Sequence, residues 1–182
     1  MARHEHTHTR LIETALKLFE TQGFERTTVA QIADAAGVTQ MTFFRHFPSK
    51  AAVVTVDPYD PAIAAAVGAQ APELPPLLRA TRGLRNALSA LDERELDTVR
   101  RRVRIIAGSD ALRADMAAAT SATEKAIAEQ LPAACSRLAA RAAAAAVMAA
   151  LTAALFEWAH DDSLPMADAV EASLCTLEGR LV

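Results

Sequence analysis

Residues 9–50 read TRLIETALKLFETQGFERTTVAQIADAAGVTQMTFFRHFPSK, and this stretch decides the fold of the N-terminal part of the chain. Its first half carries apolar residues at three- and four-residue spacings, namely Leu11, Ile12, Ala15, Leu18 and Phe19. Such spacing places them on one face of an amphipathic helix, which we expect to end at Gly23.

Two shorter helices are predicted after this one. Thr28 followed by Gln31 forms a capping box for the second helix, and Thr39 is a suitable cap for the third. Gly37 lies between them, where a chain that leaves a helix often adopts a left-handed conformation open to glycine. A helix, a short turn and a second helix form the layout of a helix-turn-helix DNA reader.

Taken in order, three motifs resemble the DNA-binding domain of TetR-family transcriptional regulators. They are Thr27-Thr28-Val29-x-x-Ile32-Ala33, Ala36-Gly37-Val38-Thr39 and Thr42-Phe43-Phe44-Arg45-His46-Phe47-Pro48-Ser49-Lys50. The resemblance implies an all-α protein with a homeodomain-like three-helix domain over residues 9–50. The chain departs from the family pattern at Met41, where a small residue is usual, and at Phe44, where a tyrosine hydroxyl usually contacts a phosphate.

The expected DNA-binding residues are polar, or lie at helix starts and on the outward face of the third helix: Thr28, Thr39, Gln40, Met41, Thr42, Phe44, Arg45, His46 and Lys50. The resemblance implies that Lys50 meets the phosphate backbone. Arg45 has an alternative interpretation as ordinary solvated surface. We assign the remaining phenylalanines of this region to the core: Phe19, Phe24, Phe43 and Phe47.

The charge distribution weakly favours a DNA-binding N-terminal part. The whole chain has net charge −3, but residues 1–50 contain six Lys and Arg against five Asp and Glu, while the remainder contains thirteen against seventeen. Four of the five histidines also lie in the first part. We therefore expect DNA binding to depend on a dimer and on placed contacts more than on a general basic field.

Residues 4–8, His-Glu-His-Thr-His, satisfy the HExxH pattern of zinc proteases. The segment lies at the extreme terminus without apolar neighbours, so we interpret residues 1–8 as a flexible arm and expect no metal site. The sequence also lacks a glycine-rich phosphate loop and a nucleophile elbow, which argues against an enzyme, and no cofactor is expected.

Residues 51–182 are predicted to form a helical regulatory and dimerisation domain. Two long helices are expected at its end, at 135–160 and 165–181, and the last one carries an apolar stripe of Val170, Leu174, Leu177 and Leu181. We expect this stripe to form a four-helix bundle with a second copy. The alternative is that it completes the monomer core. The apolar run 142–156 is shorter than a bilayer requires, so no membrane span is expected.

The C-terminal part resembles, less specifically, that of actinobacterial TetR-family members with an acyl-CoA-like ligand-binding domain. This resemblance places the arginine-rich run 99–104 and the scarce aromatic residues near an effector, with Arg102, Phe156 and Trp158 as candidate ligand residues. The alternative for the arginines is a solvated face paired with nearby acidic residues.

The predicted function is a cytoplasmic repressor that binds a palindromic double-stranded DNA operator as a homodimer and is released by a small lipophilic or acyl-CoA-like effector. An orphan DNA-binding regulator without an inducer is the alternative. Cys135 and Cys175 match no metal-ligand or redox spacing, which favours a reducing compartment.

Overall fold

The computed structural model describes residues 2–56, 58–131 and 135–180, and these contain ten α-helices and no strand. Their bounds are Ala2–Gln22 (α1), Val29–Ala35 (α2), Gln40–His46 (α3), Ala52–Thr55 (α4), Asp60–Gly68 (α5), Pro76–Leu88 (α6), Glu93–Ala107 (α7), Asp110–Gln130 (α8), Arg137–His160 (α9) and Met166–Leu177 (α10). The all-α prediction is confirmed.

Local sequence determines where the first helices begin and end. The Thr28 hydroxyl accepts a hydrogen bond from the Gln31 backbone N–H, and the Gln31 side chain accepts one from the Thr28 N–H, so the predicted capping box is formed. Gly37 has φ +65°, in the left-handed region, as predicted for the turn. Thr39 caps α3 by accepting from the Thr42 N–H at 3.2 Å.

The flexible-arm prediction for residues 1–8 is wrong within the described residues, because α1 begins at Ala2 rather than near Thr9. Two histidines of this segment, His4 and His8, have packing partners that the sequence pattern did not reveal. The His8 ring stacks on Phe47 with centroids 4.6 Å apart, and the His4 ring lies 4.1 Å from His46. These ring contacts hold the first turns of the helix against α3.

The hydrophobic core of the N-terminal part extends beyond residue 50. It joins residues of α1, α2 and α3 to the short helix α4 and to α7 and α8: Leu11, Leu16, Phe19, Ile32, Phe43, Phe47, Val53, Val54, Ile106 and Leu112. The N-terminal three-helix unit is therefore packed directly against the helical domain that follows it.

The C-terminal core surrounds α9, which packs against α6, α7, α8 and α10. Gly83 on α6 lets that helix approach α5 closely, since a Cβ there would lie 2.5 Å from the Cα of Val67. Helix α8 is continuous from Asp110 to Gln130 and packs against α5 and α9.

The predicted dimer stripe on α10 is mostly internal to the monomer. Val170 and Leu174 are buried against α9 of the same chain, so the dimer assignment of these two residues is wrong and the monomer-core alternative holds for them. Leu177 is half-buried against the same core, and Leu181 lies outside the described residues. The apolar stripe of α10 therefore packs on α9 of its own chain.

Helix α9 is the one described helix whose length and hydropathy would suit a membrane span. Val147, Leu151 and Trp158 on one side of it are buried in the domain core. A core helix passes the same test of length and composition, so this finding is weak evidence for a span.

Candidate DNA-contact surface and effector pocket

Phe43 and Phe47 pack helix α3 against the core of the N-terminal part. Phe43 is fully buried and Phe47 nearly so, and both belong to the core shared with α1 and α2. Their burial fixes the rotation of this seven-residue helix, so that its opposite face points away from the domain. The assignment of these two rings to the core is confirmed.

Most of the predicted DNA-binding side chains lie on that outward face. Six are exposed, namely Thr28, Thr39, Gln40, Met41, Phe44 and Arg45, and three are half-buried, namely Thr42, His46 and Lys50. Met41 and Phe44 are the notable ones, being large hydrophobic side chains with 68% and 52% of their surface exposed. Apolar groups of this kind suit contact with thymine methyl groups and sugars in a groove.

The hydroxyl groups at the start of α3 form a pair. The Thr39 and Thr42 Oγ1 atoms lie 3.0 Å apart, and the Thr39 oxygen also accepts from the Thr42 N–H. The neighbouring Arg45 guanidinium lies beside the Met41 sulfur at 3.9 Å. Thr42 is therefore held by the cap, in the first turn, where base-reading side chains sit in this type of fold.

His46 faces inward toward the N-terminal histidines. Its Nδ1 is buried and has no hydrogen-bond partner among the described residues. Burial, followed by the nearby charge of His4, lowers the pKa of His46, and burial followed by the charge of His46 lowers the pKa of His8. This arrangement favours neutral imidazoles and places the His46 ring against the first turns of α1.

Lys50 serves the domain itself. Its Nζ donates hydrogen bonds to the backbone oxygens of Phe24 (2.7 Å) and Thr27 (2.9 Å) and lies 4.1 Å from the centre of the Phe24 ring. These contacts hold the segment after α3 against the loop between α1 and α2. The sequence resemblance implied a phosphate contact, which stays a prediction, whereas this positioning role was not anticipated.

The three predicted ligand residues do not converge on one cavity. Arg102 lines a cavity of about 70 Å³ between α4, α7, α8 and α9, which is far below the size that a drug-like ligand requires. Phe156 packs against the core of the N-terminal part. Trp158 lines a different cavity of about 990 Å³. The predicted effector site, taken as one group of residues, is therefore not formed.

The larger cavity lies between the end of α6, the first half of α7, the end of α9 and the start of α10. Its apolar lining is formed by Leu88, Leu91, Leu96, Trp158, Met166 and Val170. Its volume lies in the range of small-molecule sites. Sequence reasoning missed this cavity because its lining comes from four helices that no motif connects.

The arginine-rich run on α7 is engaged in contacts within the chain. Arg100 and Arg104 pair with Asp162 at 2.6 and 2.5 Å, and Arg101 pairs with Glu20 on α1 at 2.6 Å. The sequence alternative of a paired arginine face is closer to the structure than a free phosphate-binding face. The partners, Asp162 and Glu20, are however remote in sequence, whereas the prediction was of nearby acidic residues.

Both parts of the chain match models of known protein families. Residues 11–55 match the bacterial regulatory proteins of the tetR family, and residues 74–182 match the MftR C-terminal domain, which covers more than half of the chain. The chain belongs to the TetR family. The TetR family comprises DNA-binding transcription regulators rather than enzymes, and its members are typically cytoplasmic.

Individual relatives agree with this assignment. TcmR, an HTH-type transcriptional regulator of Streptomyces glaucescens, is 40% identical over 95 residues, which cover 51% of this chain and 42% of TcmR. The match thus spans less than half of that relative's length. Among solved structures, Thermus thermophilus FadR in complex with lauroyl-CoA is 26% identical with TM-score 0.55, covering 96% of this chain and 95% of FadR. NalD, a repressor of a multidrug efflux pump in Pseudomonas aeruginosa, is 25% identical with TM-score 0.59 and 98% of both chains covered.

Proposed function

We propose that this TetR-family protein is a cytoplasmic repressor that binds a palindromic operator as a homodimer and releases it when a small lipophilic effector binds the C-terminal domain. The observation that carries the DNA-binding part is the exposed face of α3, where Gln40, Met41, Phe44 and Arg45 project from a helix anchored by buried phenylalanines. In this fold class, two such helices must enter successive major grooves, which requires a two-fold dimer.

The dimer surface that fits best is the outer face of α9. It exposes Leu138, with 78% of its surface accessible, followed by a row of small residues, namely Ala142, Ala145, Ala149 and Ala153. A groove of about 970 Å³ between α8 and α9 adjoins this face and includes Leu138, Ala142 and Ala145 in its lining. Small side chains let a partner helix approach closely, and Leu138 provides apolar area to bury.

A lipophilic effector is better supported than a coenzyme A thioester. FadR of Thermus thermophilus binds lauroyl-CoA, and its similarity to this chain covers nearly the whole length. In this chain, however, Arg100, Arg101 and Arg104 are paired with carboxylates, and the buried Arg102 donates to backbone oxygens. The arginines that would bind phosphate groups are thus already committed.

Thr42 provides the test of base reading. After selection of the operator from random DNA, Thr42→Ala should change the preference among half-site bases, because a hydroxyl in the first turn of α3 lies where base edges are read. Thr21→Ala is the matched control, since Thr21 is exposed on α1 and bonds only to backbone oxygens of its own helix. Equal weakening on every sequence would contradict a base contact for Thr42, and the absence of any selected sequence with the unchanged protein would refute the proposed function.

Ala145→Glu tests the dimer surface. A carboxylate in the middle of the small-residue face should turn the dimer into a monomer, because burying an unpaired charge is costly. Ala114→Glu places the same charge on an exposed position of α8 and should leave the dimer intact. Analytical ultracentrifugation gives the mass of each variant, and a dimeric Ala145→Glu protein would exclude this surface.

A further inference from the structure

The charge of the larger cavity is opposite to what an anionic effector would require. Four carboxylates and two arginines line it, so its formal charge is −2. The carboxylates are Glu93, Asp97, Asp168 and Glu171, and the arginines are Arg85 and Arg100. Which of these charges remain available to a ligand depends on their partners within the protein.

Arg85 is fully occupied by two glutamates of α10 and its C-terminal end. Its Nε lies 2.6 Å from Glu171, and its NH1 lies 2.7 Å from Glu178. The third nitrogen, Nη2, donates to both carboxylates at 3.2 Å. These hydrogen bonds raise the pKa of Arg85 above its ordinary value and lower that of Glu178 to about 2. The cluster is a closed set of ion pairs that leaves no cation for a ligand.

Arg100 is occupied as well. Its NH1 donates to Asp162 at 2.6 Å, and its guanidinium lies over the Trp158 ring, 4.5 Å from the ring centre. Cations that are both paired and stacked contribute little attraction to an incoming anion.

The remaining carboxylates at the rim are less occupied. Glu93 and Asp168 are exposed and form no ion pair within the described part of the chain, and the closest cation to Asp97 is Arg101 at 4.0 Å. Below this acidic rim lies an apolar floor that includes Leu88, Leu96 and Met166. A ligand that satisfies both parts has a hydrophobic body and a positive charge.

We infer that this cavity binds lipophilic cations, which identifies the class of effector for the proposed function on which this inference rests. The apolar floor supplies most of the affinity by burial, and the rim carboxylates select the sign of the charge. An acyl-CoA, with its several phosphate groups, would face the same carboxylates and be repelled.

Two probes of equal shape and opposite charge test the inference on the unchanged protein. Tetraphenylphosphonium and tetraphenylborate differ in the sign of one charge, and lauroyl-CoA provides the acyl-CoA comparison. Trp158 is the only tryptophan of the chain and lines this cavity, so its fluorescence reports binding at this site. We expect the cation to change this fluorescence and to bind about tenfold more tightly than the anion.

A pair of double variants assigns the selectivity to the rim. Glu93→Gln with Asp168→Asn should weaken binding of the cation about fivefold, as expected for two exposed charge pairs. Glu73→Gln with Asp115→Asn removes the same charge from two exposed positions that do not line this cavity, and it should leave binding unchanged. Equal affinity for the two probes, a tighter fluorescence response to lauroyl-CoA, or equal effects of the two double variants would overturn the inference.

Operator binding without any ligand separates this inference from the proposed function. A protein that binds its selected operator but shows no preference for the cation would refute the lipophilic-cation site alone. A protein that binds no operator refutes the proposed function, whatever the probes do.

Discussion

The guanidinium of Arg102 on α7 donates two hydrogen bonds to the backbone oxygen of Val53 on α4, at 3.1 Å from Nε and 2.8 Å from NH2. Its NH2 also donates to the oxygen of Val56 at 2.5 Å, and only 7% of the residue is exposed. Carbonyl oxygens at the end of a helix lack partners within the helix. Arg102 therefore completes the end of α4 and fastens the DNA-reading part to the domain behind it.

Helix α7 carries both Arg102, which bonds to the end of α4, and residues that line the larger cavity. Leu96 and Arg100 on its first half line the cavity, whereas Arg101 pairs with Glu20 and Glu13 on α1. An effector that displaces α7 would alter contacts to both α1 and α4. We expect this helix to carry the change between the two parts, because a ligand shifts a conformational equilibrium only through contacts that differ between the states.

Replacing Arg102 by methionine should lower the free energy of unfolding by about 2 to 3 kcal/mol, the usual range for hydrogen bonds to charged groups, because the oxygens at the end of α4 lose their donors. Urea unfolding of the full-length protein measures this loss. Arg94→Met is the control, since Arg94 is 74% exposed and has a distant partner at 3.8 Å. It should change stability by no more than about 0.5 kcal/mol.

Operator binding gives a second readout for Arg102. If the residue fastens α4, the variant should bind the operator more weakly and respond less to effector than the protein with Arg94→Met. Unchanged stability, or an unchanged effector response, would show that the contacts of Arg102 with Val53 and Val56 do not hold the two parts together.

Lys50→Met separates a structural role from a phosphate contact. Loss of the hydrogen bonds to Phe24 and Thr27 should lower the free energy of unfolding by about 2 kcal/mol. Loss of a phosphate contact alone would leave stability unchanged and reduce the salt dependence of operator binding by about one unit per site. Lys17→Met, on the exposed face of α1, is the control for removing a lysine. Unchanged unfolding of Lys50→Met would refute the structural role.

Features that depend on short stretches of sequence were predictable. The capping box at Thr28, the Thr39 cap and the left-handed Gly37 all appear as expected. Each depends on residues at most three positions apart, so the chemistry that produces it is visible in the sequence. The exposed face of α3 was predictable in the same way, because assigning Phe43 and Phe47 to the core fixes which side of the short helix faces outward.

Features that depend on remote pairs were not predictable. The apolar residues Val170 and Leu174 have the same spacing whether they meet α9 of their own chain or a second copy, so periodicity does not choose between these partners. Lys50 and Phe24 are 26 residues apart, and Arg102 and Val53 are 49 apart. A buried cation that bonds to backbone oxygens leaves no mark in the sequence of its partner, because any residue supplies a carbonyl group.

Phe44→Tyr should tighten operator binding by about 0.5 to 1.5 kcal/mol, the net value of one hydrogen bond, without changing base preference. The ring is 52% exposed and meets Phe43 edge-on with centroids 5.5 Å apart, so its outer end is free to carry a hydroxyl. Band-shift titration on the selected operator and on single-base variants measures both quantities. Weaker binding, or a change in base preference, would mean that the ring does not approach the phosphate backbone.

Acid should loosen the contact between α1 and α3 through His46. Burial, then the charge of His4, lowers the pKa of His46, and burial, then His46, His4 and Arg102, lowers that of His8. Since the unfolded chain binds these protons more readily, the free energy of unfolding should fall as the pH drops below about 6.5, the ordinary histidine value.

His46→Gln should reduce this pH dependence, because it removes the imidazole whose Nδ1 lacks a partner within the described residues. His160→Gln, on the exposed end of α9 and away from the cluster, should keep the dependence of the unchanged protein. Urea unfolding at pH 7 and pH 5 compares the three proteins. If His46→Gln loses as much stability on acidification as the unchanged protein, the neutral histidine cluster does not link α1 to α3.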